Sequence, residues 1–205
     1  MRLLGLLLLT LAMTLGTDAR ALSMPAISIT SPNVTSTSFN YPFGYDFTAD
    51  ANLQVTALGV YDDFGDGLDA AYEVGVWNSS AVLLDSVLVP LGTTATLISG
   101  FRYQDLSTAI ALTNGASYRI GVLVPAFQEL VNAAGSVVTD SITINTPDLF
   151  GSGATLSYPS TPSGITGRAY MTGNMLLVPE PSAFWLVASG MLALAGTARR
   201  RNRAR

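Results

Sequence analysis

The residues best suited to chemistry lie in one short stretch, Asp62-Asp63-Phe64-Gly65-Asp66-Gly67-Leu68-Asp69, which holds four carboxylates in eight positions. Counted from Asp62 in the register of a helix-loop-helix calcium loop, Asp66 falls at position five and Gly67 at six. The Leu68 carbonyl then falls at seven and Glu73 at twelve. A hard cation of this kind wants roughly 6–8 oxygens and a glycine at the sharp turn. Asp62, Asp66 and Glu73 are therefore the candidate calcium ligands. Against them, Phe64 occupies position three and has no oxygen to offer, and nothing predicts flanking helices. Asp and Gly also crowd ordinary solvated hairpin loops, and both readings stay open at this stage.

Other chemistries are narrowed by what is missing. The chain has no Lys, no His and no Cys. That excludes serine-histidine, cysteine-histidine and serine-lysine nucleophilic sites within the chain, as well as disulfides and zinc thiolate centres. A carboxylate-based glycoside hydrolase needs two acids facing each other at about 5–9.5 Å, and no motif singles out such a pair. The composition thus points away from an enzyme and predicts no obligatory cofactor. Between residues 22 and 178 three arginines (Arg102, Arg119, Arg168) stand against twelve acids, a net charge of −9. A body this acidic lacks the cations that neutralise phosphates, so nucleic acid is not expected as a partner. Trp77, with Tyr45, Tyr61 or Tyr72, forms a candidate platform for stacking on sugars, although strand aromatics more often pack in a core.

The elements that must position these residues read as strands. Turn signals recur about every ten residues in a Thr-, Ser-, Gly- and Val-rich body, which predicts an all-β fold, an antiparallel sandwich or jelly roll. Phe39, Tyr41, Phe43, Tyr45 and Phe47 alternate along 39–48, and a second strand follows over 53–61. Tyr72, Val74 and Val76 share one face of a third, with Glu73, Gly75 and Trp77 on the other. Asn78-Ser79-Ser80 predicts a hairpin turn into 82–89. Further strands are expected over 95–99, 101–103, 108–112, 118–124 and 169–177. Residues 126–134 are the only helix candidate in the body, and 147–167, dense in Pro, Gly, Ser and Thr, reads as a surface loop. Leu112-x-x-Gly115-x-x-Tyr118 has the form of a tyrosine corner, in which the phenol bonds nearby backbone.

Both ends look like addresses. Met1-Arg2, an apolar run over 3–15 and Ala19-Arg20-Ala21 make a signal peptide over 1–21, with the mature chain starting near Leu22. The apolar run, about thirteen residues, is too short for a comfortable membrane span, which favours cleavage over an uncleaved anchor. Residues 22–38 read as an N-terminal extension and 39–177 as the cargo domain. The last segment, 178–205, begins Val178-Pro179-Glu180-Pro181-Ser182. Prolines donate no amide hydrogen bond, so a helix is expected after them. Residues 183–198 carry no charge and would make a transmembrane helix of about 24 Å, short for a bilayer core of about 30 Å. Arg199, Arg200, Arg201, Arg203 and Arg205 then place the C-terminus in the cytoplasm by the positive-inside rule.

Pro179-Glu180-Pro181, a short apolar helix and a terminal arginine cluster, in this order, resemble the PEP-CTERM sorting signal of Gram-negative bacteria. The resemblance covers about 26 residues. It implies a transient inner-membrane anchor processed by an exosortase, with recognition at Pro179, Glu180 and Pro181 and delivery to the cell surface or exopolysaccharide matrix. A plain C-terminal anchor is the alternative. Gly44-Tyr45-Asp46-Phe47, residues 55–60, Asp66-Gly67-Leu68, residues 73–77 and Gly100-Phe101-Arg102-Tyr103 also look like a domain of unassigned function found ahead of such tails, over 39–124. Together the expectation is an exported structural or adhesive surface protein whose partners are signal peptidase, exosortase, the inner membrane and exopolysaccharide. The alternatives are a calcium- or carbohydrate-binding module and a carboxylate-based hydrolase.

Overall fold

The computed structural model describes residues 23–133 and 137–180. The signal-peptide reading of 1–21, Pro181, the span 183–198 and the tail arginines Arg199, Arg200 and Arg201 lie outside the described residues. Among those described, no helix is long and apolar enough to cross a membrane.

The fold is all-β. The N-terminal strands are β1 (Met24–Pro25), β2 (Ile27–Ile29) and β3 (Asn33–Ser36), followed by the long pair β4 (Tyr41–Ala49) and β5 (Leu53–Tyr61). After a single 3-10 turn come β6 (Tyr72–Asn78), β7 (Leu83–Val89), β8 (Thr96–Ile98), β9 (Phe101–Leu112) and β10 (Ser117–Val124). The chain closes with β11 (Glu129–Asn132), β12 (Val137–Thr139), β13 (Ile142–Phe150), β14 (Thr161–Pro162) and β15 (Gly173–Pro179). One sheet has the order β1-β15-β5-β9-β8 and the other β14-β13-β4-β10-β6-β7, with two small ribbons, β11-β3 and β12-β2. The two large sheets share one core, an arrangement consistent with a β-sandwich.

That core follows from the period of two along each strand, which sends alternate side chains to one face. Phe43, Tyr45, Phe47 and Ala49 from β4 are buried with Val74 and Val76 from β6 and Ile120 and Val122 from β10. They meet Val55, Ala57, Met175 and Leu177 from the opposing sheet. Tyr45 reaches across the layers, its hydroxyl donating to the Gly173 carbonyl at 3.3 Å. Burial pushes the phenols of Tyr45 and Tyr103 well above the ordinary value of 10.0; at Tyr103 the neighbouring Tyr45 adds to the rise and the Asn174 side chain works against it.

Several sequence expectations meet a different arrangement. Of residues 126–134, expected as a helix, those described (126–133) form a turn, closed by Gln128 N–H donating to the Pro125 carbonyl, and then β11, which pairs with β3. Residues 101–112 are one strand rather than two; 106–109 bulge out where Asp105 and Ile110 pair with Ala57 and Val55. The N-terminal segment is no separate extension: β1, β2 and β3 pair with β15, β12 and β11, and Ala26 and Ile27 lie in the core. Inside 147–167, β13 continues to Phe150 and β14 pairs back on it. The expected corner is present, with Thr113 N–H donating to the Tyr118 hydroxyl at 2.9 Å.

Candidate functional site

The acidic loop closes on an arginine. Asp62 is buried, with Oδ2 2.7 Å from Arg102 Nε. Its Oδ1 accepts the Gly67 N–H at 3.2 Å, which fixes the loop from inside. Arg102 gives its other nitrogens to carbonyls, Nη1 to Thr93 and Ala95 and Nη2 to Gly65. Asp66 is exposed in the loop and Glu73 sits on β6, paired across the sheet with Leu88 and Leu123. Asp62, Asp66 and Glu73 are not brought together: among the described residues no three acidic side chains gather to hold a metal ion. The carboxylate best placed by sequence register is instead one half of a buried ion pair.

Trp77 is also used internally. It is 4% exposed although it lies on the outer face of its sheet. Asp46, Arg119 and Trp77 stand side by side across β4, β10 and β6. Residues 151–160 cross over this row as a strap. Tyr158 packs edge-on to Trp77 at 6.1 Å, and Arg119 lies over the Tyr158 ring at 4.0 Å. Arg119 also donates Nη1 to the Pro159 carbonyl at 2.6 Å and forks onto the Asp46 carboxylate. Two facing glycines, Gly75 and Gly121, make room for this layer. A Cβ at Gly75 would come within 2.9 Å of the Trp77 ring, and one at Gly121 within 3.0 Å of Pro159. Tyr45 and Tyr72 are buried and Tyr61 packs on Phe101, so the four aromatics expected as a sugar platform do not form one.

An open groove of about 530 Å³ lies elsewhere, where β3, β11, the start of β4, the end of β13 and the segment leading to β15 converge. Its wall carries Phe39 stacked on Tyr41, ring centroids 5.0 Å apart and planes 12° from parallel. Phe39 is 57% exposed, so one aromatic face is open to solvent. The floor is Phe43 with Tyr170 edge-on at 5.0 Å. Ser36, Thr37, Ser38, Ser163 and Asn132 supply hydroxyls and an amide. Ser163 is oriented from behind, donating to Asp148 Oδ2 at 2.5 Å while accepting the Ile165 N–H. Arg168 stands at the rim, exposed, and donates Nη1 to the Tyr170 hydroxyl at 3.0 Å.

Nothing in local spacing marks this groove, because its residues come from four separated stretches. Two signals point at it nonetheless. Phe39 extends the aromatic alternation beyond the start of β4, and Arg168 is the single cation in a Pro-, Gly- and Ser-rich segment. Chemically the arrangement offers an apolar face, hydroxyl partners and one planar cation.

Two residues of the expected motif, Pro179 and Glu180, lie within the described part. Pro179 ends β15 opposite Leu53, Glu180 N–H donates to the Asn52 carbonyl at 3.2 Å, and Gln54 Nε2 donates to Glu180 Oε1 at 2.6 Å. The chain matches no known family, no curated protein and no solved structure.

Proposed function

We propose that this chain is the precursor of an exported, non-enzymatic adhesive protein whose β-sandwich body holds a saccharide of the cell surface or extracellular matrix in the groove between Phe39 and Arg168. The observation that carries this reading is the half-exposed Phe39–Tyr41 stack facing a wall of hydroxyls. An aromatic face accepts the apolar C–H side of a sugar ring, while nearby polar groups fix its orientation. The volume, about 530 Å³, lies within the range of about 300–1,000 Å³ usual for small-ligand clefts.

The address rests on the two ends of the sequence. The PEP-CTERM resemblance of Pro179-Glu180-Pro181, the apolar span and the arginine tail supports passage through the inner membrane, with exosortase processing. The described body is compatible with that role in one respect. Tyr170, in the groove, precedes β15, and the tail would leave from its other end at Pro179, so the groove and the point of attachment lie at opposite ends of that strand.

Two measurements test the proposal. Intact mass of the protein from membranes and from the extracellular fraction of its host tests the address: a species ending near residues 179–181 outside the cell supports sorting, and a full tail confined to the membrane means a plain anchor. Binding to a glycan array, weakened by Phe39→Ala and untouched by Trp77→Ala, tests the groove; dependence on Trp77 with none on Phe39 would overturn it. The calcium alternative predicts a rise in melting temperature on adding calcium, because a ligand that binds only the folded state stabilises it.

A further inference from the structure

We propose that the saccharide held in this groove is acidic, a uronate, and that Arg168 reads its carboxylate; the proposal rests on the groove being a saccharide site. The argument begins with charge. The body carries twelve acids and three arginines, so any arginine has carboxylates to pair with in excess. Arg102 and Arg119 do pair, and each has all three guanidinium nitrogens engaged by the protein. Arg168 behaves differently. Among the described residues no carboxylate oxygen lies within ion-pair distance of it, and its bond is to a neutral phenol, Tyr170.

That phenol does something specific. Tyr170 is 4% exposed and braced edge-on against Phe43, so its hydroxyl is a fixed point. By taking Nη1 it orients the guanidinium plane and leaves Nε and Nη2 together for an incoming acceptor. Those two N–H groups match the two oxygens of a carboxylate in a parallel fork, a geometry arginine offers and lysine cannot. Part of the ordering cost of the long side chain is met before a ligand arrives.

The surroundings favour the same ligand. Among the described residues lining the groove there is no carboxylate, although the body holds twelve. The nearest acid in the hydrogen-bond network, Asp148, is turned to the Ser163 hydroxyl rather than to Arg168. A uronic acid ring carries in one unit what the groove offers to bind: a C–H face for Phe39, ring hydroxyls for the serines and Asn132, and a planar carboxylate for Arg168. An acidic peptide segment would satisfy Arg168 but leave the stacking face and hydroxyl wall without matched partners.

The test is calorimetric titration of the full chain in mild detergent with tetramers of 1,4-linked glucuronate, mannuronate and galacturonate. Each is compared with its carboxyl-reduced neutral counterpart and with an Asp/Ser peptide of equal charge. At least one uronate is expected to bind about tenfold or more tightly than its reduced form, the size of one charge-assisted hydrogen bond. Arg168→Gln should bring that ratio to about one, and Phe39→Ala should weaken binding of both forms. Circular dichroism of each variant checks the fold. Equal binding of charged and neutral forms by the parent overturns the acidic class but keeps the saccharide site. No binding of any glycan overturns both. A ratio preserved in Arg168→Gln removes Arg168 as the reader, and peptide binding equal to uronate binding with the same Arg168 dependence makes the occupant a protein segment.

Discussion

The corner around Arg102 and the groove around Arg168 put one kind of side chain to two uses. At the corner the guanidinium is enclosed, every nitrogen is matched, and the carboxylate it meets is buried with it. At the groove the guanidinium is held by a single phenol and points into open space. Burying two charges carries a desolvation penalty that their attraction only offsets when every remaining polar group is bonded. The corner meets that condition and closes the acidic loop. At the groove Arg168 is exposed to water, so its charge needs no buried partner. Arg102 lies forty residues from Asp62, so no local spacing announces that the acidic loop closes on it, whereas Arg168 stands among uncharged groove residues.

Four changes would break or sharpen that contrast. The largest effect is expected at the corner. Arg102→Met strands the Asp62 carboxylate in the interior and should cost about 3–5 kcal/mol of unfolding free energy in urea titration; a loss below about 1 kcal/mol would mean the loop is not closed by this pair. Next comes the strap. Trp77→Ala should cost about 3 kcal/mol by opening a cavity under residues 151–160, with glycan affinity unaltered.

The third is a pH experiment on the core. The raised phenols of Tyr45 and Tyr103 stay protonated in the folded state while the unfolded chain loses these protons above the ordinary value of 10.0. Stability from this source is complete below that value and falls as pH rises past it, by roughly 1 kcal/mol per phenol by pH 11. Tyr45→Phe with Tyr103→Phe should flatten this alkaline limb in denaturant titrations at pH 9 and 11; an unchanged slope would assign it to other groups. The smallest effect on stability belongs to the groove. Arg168→Gln should shift unfolding by no more than about 0.5 kcal/mol. A loss approaching that of Arg102→Met would make Arg168 a structural arginine and erase the contrast.

Where the sequence was legible, local signals agreed with one another. β5 and β10 begin and end within a residue of expectation because apolar alternation is bracketed by turn chemistry. Asn78 shows that chemistry directly, its Oδ1 accepting the N–H groups of Ser80 and Val82. Tyr118 was legible because its partner, Thr113, is five residues away. What was not legible depends on distant partners. β11 exists through its pairing with β3, about a hundred residues earlier, and local pattern left 126–134 free to look helical. Trp77 looked like a platform because nothing near it announces the strap that covers it, which arrives from residues 151–160 and is pinned by Arg119. The groove is harder still, since Phe39, Asn132, Phe150 and Arg168 lie far apart in sequence and come from separate elements.

One feature of β15 bears on how the body would carry a load. Seven residues long, it runs antiparallel between β1 and β5, with Tyr170 of the groove just before its start and Pro179-Glu180 at its finish. Tension between a gripped polymer and a tethered C-terminus would therefore travel lengthwise along this strand, over about 20 Å at the usual rise per residue. Its ladder bonds to β5, together with the Glu180 contacts to Asn52 and Gln54, would be strained side by side in shear rather than peeled one after another. Under the proposed attachment, a body loaded this way would yield only when many bonds fail at once.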